Sequence, residues 1–322
     1  MNLNRRQTIA LAAGLSLGNS WAQSGYPNKP VRIVIGFPAG TTGDLVLRII
    51  APLLGERLGQ TVVVENRPGA GSSIAAESVA RSKPDGLALL LSTTANVINP
   101  SLYPGLSFDF LRDLTPVALF GEAPALLVGH PGLAAKTLAE LVALARTQPD
   151  ALSFASSGNG TFTHLYGELF NQTQGVRLTH IPYKGSSQAL TDVLAGRVSL
   201  LFSPASTVIS HVKAGTLRAF GLIGQQRLAA LPDVPLFAEA RIAGFDSALW
   251  FGLNAPAGTP PEIIERLGKE LAAVLGRPEI KAQLAAQSFN TLPGGVAPFA
   301  ELLGKESAKW RAVVKTANIK PE

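Results

Sequence analysis

Hydrophobic and polar positions along the chain alternate between two regimes: short β-branched runs, and longer stretches with apolar residues three and four apart. The first clear pair begins at Val31. Val31, Ile33, Val34 and Ile35 form a run that fits a buried parallel strand, and Phe37 to Gly43 is a loop of little side-chain bulk. From Asp44 onward Leu45, Leu47, Ile49, Ile50, Leu53, Leu54 and Leu58 mark a helix, with Arg57 in its last turn and Gly59 as its stop signal. Residues 61–65 predict a second strand, 72–81 a helix and 87–91 a third strand, followed by a loop from Ser92 to Asn96. A β, α, β, α, β run with short connections predicts a parallel sheet with right-handed crossovers. Ligands of such sheets lie at the carboxyl ends of the strands, so Thr93 falls on the same edge as the first loop.

Gly121 and Pro124 interrupt the apolar stretch 119–128, which reads as a first passage between domains. A new βα series follows. Thr137 and Glu140 form a capping box for a helix to Arg146, and at 152–169 the strand, loop and helix order recurs. Leu152, Phe154 and Ala155 give the strand, Ser156, Ser157, Gly158, Asn159 and Gly160 the loop, and Thr161 begins the helix. His180 to Gly185 is a strand end and loop, 186–195 a helix and 198–202 a strand. Residues 248–253 read as a second passage. Thr259, Pro260 and Glu262 then start a helix to about residue 275, and 278–287 and 298–317 are helical, expected to pack back on the first domain.

Composition narrows the function classes. With 322 residues two domains are expected, and 46% hydrophobic with 16% charged residues excludes a disordered or fibrous chain. The absence of cysteine excludes disulfides and thiolate metal sites, and the four histidines, His130, His164, His180 and His211, lack ligand spacing, so neither metal nor cofactor is expected. Arg5 and Arg6 precede the apolar run 9–17, and Ser20, Trp21 and Ala22 form a small-x-small cleavage site, so residues 1–22 read as a signal peptide for export to the periplasm. The paired arginines loosely resemble a twin-arginine signal, which leaves the export route open. Loss of those two arginines lowers the formal charge from +6 to +4. Lysine and arginine are dispersed, which argues against a nucleic-acid partner.

Each small-residue loop followed by a helix is an anion cradle, because backbone N–H groups converge where the helix dipole favours negative charge. Two cradles, one from each half, suggest a clamp. An exported serine hydrolase built on Ser156 or Ser157 with His164 is the rival from another class. FASSG lacks the G-x-S-x-G frame of a nucleophile elbow, so no catalytic residue is assigned.

The segments YPNKPVRIVIGFPAG, VVVENRPGAG, PDGLALLLSTTANVINPSLYP, SFASSGNGTFTHLYGELF, IPYKGSSQALTDVLAG, ALPDVPLFAEA, WFGLNAPAGTP and VVKTANIKPE occur in order over nearly all of the chain after residue 22. In these the sequence resembles the tripartite tricarboxylate transporter substrate receptors, the Bug or TctC-type extracytoplasmic solute-binding proteins. The resemblance implies an α/β, two-lobed periplasmic-binding-protein type II fold, with 23–122 and 248–322 in lobe 1 and 123–247 in lobe 2. It implies a non-enzymatic receptor, expected as a monomer, that captures a small carboxylate and delivers it to membrane permease subunits; a sensor feeding a signalling receptor shares the pattern. The site residues it implies are Phe37, Ala39, Gly40, Thr41 and Asp44 in the first loop and Ser156, Ser157, Gly158, Gly160, Thr161 and His164 in the second. Tyr183, in a YKG segment with Lys184 and Gly185, joins them. Two departures bear on specificity: Thr41 stands where the family usually has a second glycine, and Ser203 stands where members commonly carry an acid able to pair with a ligand amine. A ligand without a positive amine is therefore expected.

Overall fold

The computed structural model describes residues 25–320. The signal peptide expected at 1–22 lies outside them. Two sheets carry the fold. The first has the order β11-β4-β10-β3-β1-β2, formed by β1 (Val31–Ile35), β2 (Val62–Asn66), β3 (Ala88–Thr93), β4 (Leu114–Ala123), β10 (Leu249–Pro256) and β11 (Asn290–Gly294). The second has the order β7-β6-β8-β5-β9, formed by β5 (Ala125–Gly129), β6 (Ser153–Ser156), β7 (Thr179–Pro182), β8 (Leu200–Pro204) and β9 (Arg218–Ile223). Only Pro124 separates β4 from β5, so the chain changes sheets there, and it returns ahead of Leu249.

The expected parallel register is present where β1 lies between β2 and β3, with Ile33 opposite Val64 and Leu89. The sheets are nevertheless mixed, because β10 runs antiparallel to both β3 and β4, and β5 antiparallel to β8 and β9. A strand that re-enters a sheet directly from the other lobe needs no crossover helix and so is free to run antiparallel.

Helices cover both sheets. In the first lobe these are α1 (Thr42–Leu58), α2 (Ser73–Ala80), α3 (Thr94–Leu102) and the single turn α4 (Phe110–Asp113); in the second, α5 (Leu138–Thr147), α6 (Phe162–Gln174), α7 (Ser186–Leu194) and α8 (Ala205–Lys213). After β10 come α9 (Pro261–Leu275), α10 (Pro278–Ala286) and α11 (Val296–Thr316). α9 buries Ile264, Leu267, Leu271, Val274 and Leu275, a stripe at three- and four-residue spacing laid on α1 and β4. α11 lies between the two lobes. It packs on α3 and β4 and also on α6, where Trp310 meets Tyr166 edge-on with ring centroids 4.9 Å apart.

Candidate functional site

β1 and β6 each end in a tight turn that opens a helix, and the two turns are built alike. Gly40 takes φ +83° and Gly160 φ +70°, each followed by an extended threonine N-cap with φ −73°, Thr41 and Thr161. Both hydroxyls turn back into the loop: Thr41 Oγ1 donates to the Pro38 carbonyl (2.9 Å) and Thr161 Oγ1 to the Gly158 carbonyl (2.6 Å). Three residues past each cap a side chain locks the glycine. Gly40 N–H donates to Asp44 Oδ2 (2.9 Å), and Gly160 N–H donates to His164 Nδ1 (3.0 Å). Asp44 and His164 therefore hold equivalent places and fix the same turn, one as a carboxylate and one as a neutral imidazole.

Their surroundings maintain that difference. Asp44 is buried and also accepts from Arg48 Nε (2.9 Å) and Asn66 Nδ2 (3.0 Å). The Arg48 hydrogen bond is the main reason its pKa is held down at about 2, with the Gly40 and Asn66 donors assisting. Burial drives the His164 pKa down to about 3 and the proximity of His180 adds to this; His180 is itself lowered by burial to about 4. The two rings stack with centroids 3.7 Å apart and planes 7° from parallel, an arrangement suited to two uncharged imidazoles.

This locking moves the cradle by one turn. The amides expected to face an anion at Gly40 and Gly160 are consumed, as are those of Ser157, donating to Thr163 Oγ1 (2.9 Å), and Gly158, donating to Ser156 Oγ (3.2 Å). A turn that needs a left-handed glycine spends that amide on holding its shape. On α1 and α6 the first-turn amides of Thr42, Gly43 and Asp44, and of Phe162, Thr163 and His164, have no acceptor among the described residues. A third helix start joins them. The stretch expected as loop, 92–96, instead begins α3, with Thr93 as N-cap accepting from Ala95 N–H (3.3 Å) while its own N–H donates to Asn96 Oδ1 (2.9 Å).

The starts of α3 and α6 border a cavity of about 550 Å³ between the lobes. The first lobe contributes Phe37, Gly71, Thr93, Thr94, Ala95, Ile98, Asn99, Leu102, Tyr103 and Leu249, and the second Ser157, Asn159, Gly160, Thr161, Phe162, Thr163, Ser186 and Pro204. None of these side chains is ionisable as an acid or base near neutrality. A side chamber of about 150 Å³ shares Phe37, Thr93 and Leu249 and adds Ile35, Thr41, Thr42, Gly43, Leu91 and Phe251. A larger groove, about 750 Å³, runs between α1 and β2 past Arg48, Pro52 and Gln60, but only the first lobe lines it.

Of the residues anticipated from the sequence, Phe37, Thr93, Ser157, Gly160 and Thr161 meet in the cavity wall and Thr41 in the side chamber. Gly40 lines a separate opening with Thr42, Ser186 and Thr207. Ala39 is exposed, and Ser156 and Gly158 are buried behind the turn. Asp44 and His164 shape the loops from behind. Tyr183 does not reach the cavity, because its hydroxyl donates to Asp192 Oδ2 (2.6 Å). Ser203 also stays out of the wall: it is buried on β8, its hydroxyl donating to the Pro204 carbonyl (3.3 Å). The sequence reading did not assign Ile98, Leu102, Tyr103, Phe162 and Leu249, all in the wall. The four-residue spacing of Ile98 and Leu102 is the signal for α3, obscured by Asn96, Asn99 and Pro100.

Residues 46–319 match the model of the tripartite tricarboxylate transporter family receptors. The chain belongs to that family. The receptor is 34% identical to the protein BugT of Bordetella pertussis over 297 residues, covering 92% of this chain and 91% of BugT. Among solved structures it resembles the R. palustris protein Rpa4515 with adipate, at TM-score 0.76 and 33% identity, covering 92% of this chain and 100% of that one. It also resembles MatC from Rhodopseudomonas palustris with bound malate, at TM-score 0.71 and 30% identity, covering 90% and 100%. The family is one of two-lobed periplasmic solute-binding receptors. No helix among the described residues is long and apolar enough to cross a membrane. In this receptor Ser156 pairs with His180 rather than His164, its Oγ lying 2.6 Å from Nε2. That hydroxyl is fully buried and also sits against Gly158 O and N–H, which leaves it no approach to the cavity.

Proposed function

We propose that this receptor, exported to the periplasm as a monomer, captures a small carboxylate lacking a positive amine between its lobes and delivers it to permease subunits of a tripartite tricarboxylate-type transporter. One observation carries the reading: the N-termini of α3 and α6 border the interlobe cavity, that of α1 borders the side chamber sharing Phe37, Thr93 and Leu249 with it, and neither wall has a charged side chain. Helix termini contribute about 0.3 to 1 kcal/mol each toward an anion, more when partly buried, and N–H donors to a carboxylate form charge-assisted bonds without an arginine. The adipate and malate held by the two structural relatives agree with an acid as ligand.

The exclusion of an amine rests on the wall as a whole rather than on Ser203. An ammonium in the cavity would meet helix N-termini and no carboxylate, since the loop acid, Asp44, lies behind the turn and is paired with Arg48. Because both lobes contribute to the wall, ligand favours the closed arrangement, and the passages at Pro124 and ahead of Leu249 are the hinge. A thermal-shift screen of the protein from Gln23 onward against organic acids, amino acids and neutral polar solutes tests the reading. A ligand at 100 times its dissociation constant adds about 2.7 kcal/mol of stability. Stabilisation by amine-free acids is expected; stabilisation by amino acids alone, or by no acid, overturns it.

A further inference from the structure

The cavity wall separates by chemistry into donors at the helix starts and an apolar remainder that has little to offer a polar ligand body. Phe37, Ile98, Leu102, Phe162 and Leu249 face the main chamber, and the side chamber extends this surface through Ile35, Leu91 and Phe251. Most polar side chains of the wall are already engaged within the protein. Asn99 Nδ2 donates to Gly71 O (2.6 Å) and Ser73 Oγ (2.9 Å). Thr93 Oγ1 accepts from Ala95 and Thr161 Oγ1 donates to Gly158 O. Thr163 Oγ1 serves Ser157 N–H and lies 3.1 Å from Ser157 Oγ. Among the described residues Asn159, Tyr103 and Ser186 make no side-chain hydrogen bond, Ser186 being exposed, and Asn99 Oδ1 and the Thr93 hydroxyl proton are also uncommitted.

We infer that the ligand is a carboxylate with an unsubstituted alkyl or aryl body, selected against hydroxylated acids of the same length and charge. This rests on the carboxylate reading above and adds the body to it. A hydroxyl buried against this wall loses its water and gains few partners, whereas a methylene or ring edge fits it without loss. Selectivity then comes from the wall, chiefly Leu249, which borders both chambers, while the helix starts supply charge recognition alone.

Four six-carbon acids form the test: hexanoate and gluconate with one carboxylate, adipate and galactarate with two. Each pair matches in charge and chain length and differs in hydroxyls. Titration calorimetry on the purified protein is expected to give hexanoate or adipate at least tenfold tighter binding than its hydroxylated partner. Leu249→Asn is expected to reduce that ratio severalfold while the unmodified protein supplies the reference. Equal or tighter binding of gluconate and galactarate overturns the inference and leaves the carboxylate reading intact. Failure of all four acids, with neutral solutes binding instead, overturns both.

Discussion

Asp44 and His164 illustrate how one backbone solution is reached with two chemistries. Each accepts the amide of a left-handed glycine from three residues past the helix cap, and neither faces the cavity. Removing the acceptor frees the turn. Asp44→Ala is expected to cost about 2 kcal/mol, as for other hydrogen bonds to a charged group, and to weaken carboxylate binding at least tenfold; unchanged affinity in calorimetry would show that the turn holds without it. The histidine predicts a pH dependence of definite sign. Its folded pKa, about 3, lies below the ordinary value of 6.5, as does that of His180 at about 4. The unfolded chain therefore takes up protons first on acidification. Their stabilising contribution is complete above about pH 6.5 and falls as the pH drops toward 4, by up to about 1.4 kcal/mol per pH unit for each histidine. Thermal midpoints measured between pH 7 and 4 are expected to fall, and His164→Asn to flatten the profile; a flat profile in the unmodified protein contradicts the assignment.

At the level of elements, the loops and helix starts matter more than the strands that carry them. Gly160 shows this most sharply, because a Cβ at this position would stand 2.5 Å from Leu102 Cδ1 across the cleft. Gly160→Ala is expected to weaken ligand binding by displacing the Leu102 side chain within the cavity wall, in addition to about 1 kcal/mol for a left-handed alanine. Gly175→Ala, also left-handed at φ +60° but facing open space, is expected to incur the backbone cost alone. Equal binding losses for the two variants in calorimetry would contradict a contact across the cleft. The strand, loop and helix units at 31–58 and 152–174 were legible in the sequence because β-branched runs, small-residue turns and helical spacing each give a local signal. α3 was not. Its capping partner Asn96, its buried Asn99 and its exposed Pro100 read locally as turn residues, whereas Asn96 and Asn99 are tied by hydrogen bonds to the 3₁₀ turn at Ala70–Ser72. The inward parts of the site were hidden for a related reason. Tyr183 is diverted by Asp192, and Leu249 is brought to the wall by an antiparallel pairing that no local pattern encodes.

Across the whole molecule, two structures join the lobes beside the paired passages. Glu122, at the end of β4, is buried and accepts from Gln225 N–H (3.1 Å) in the second lobe and from Ala248 N–H (3.2 Å) at the return passage. Burial raises its pKa while these two amides oppose the rise. α11 forms the other connection: Glu306 accepts from Trp310 Nε1 (2.9 Å) and pairs with Lys309 (2.5 Å), and Lys309 Nζ reaches the Gly244 carbonyl (3.4 Å) of the second lobe. The lobes are thus coupled to a common base while the cavity lies on their facing edges. Glu122→Ala leaves the buried Ala248 amide unsatisfied and takes a partner from the exposed Gln225, and is expected to cost about 1 to 3 kcal/mol in chemical denaturation; no measurable loss would show that the contact is dispensable. The central claim is that first-turn amides of α1 and α6 receive the ligand's carboxylate, and amide chemical shifts recorded during an adipate titration test it most directly. The largest shifts are expected at Thr42, Gly43, Phe162 and Thr163. Shifts confined to the open groove beside Arg48 and Gln60, with those four amides unmoved, would contradict it.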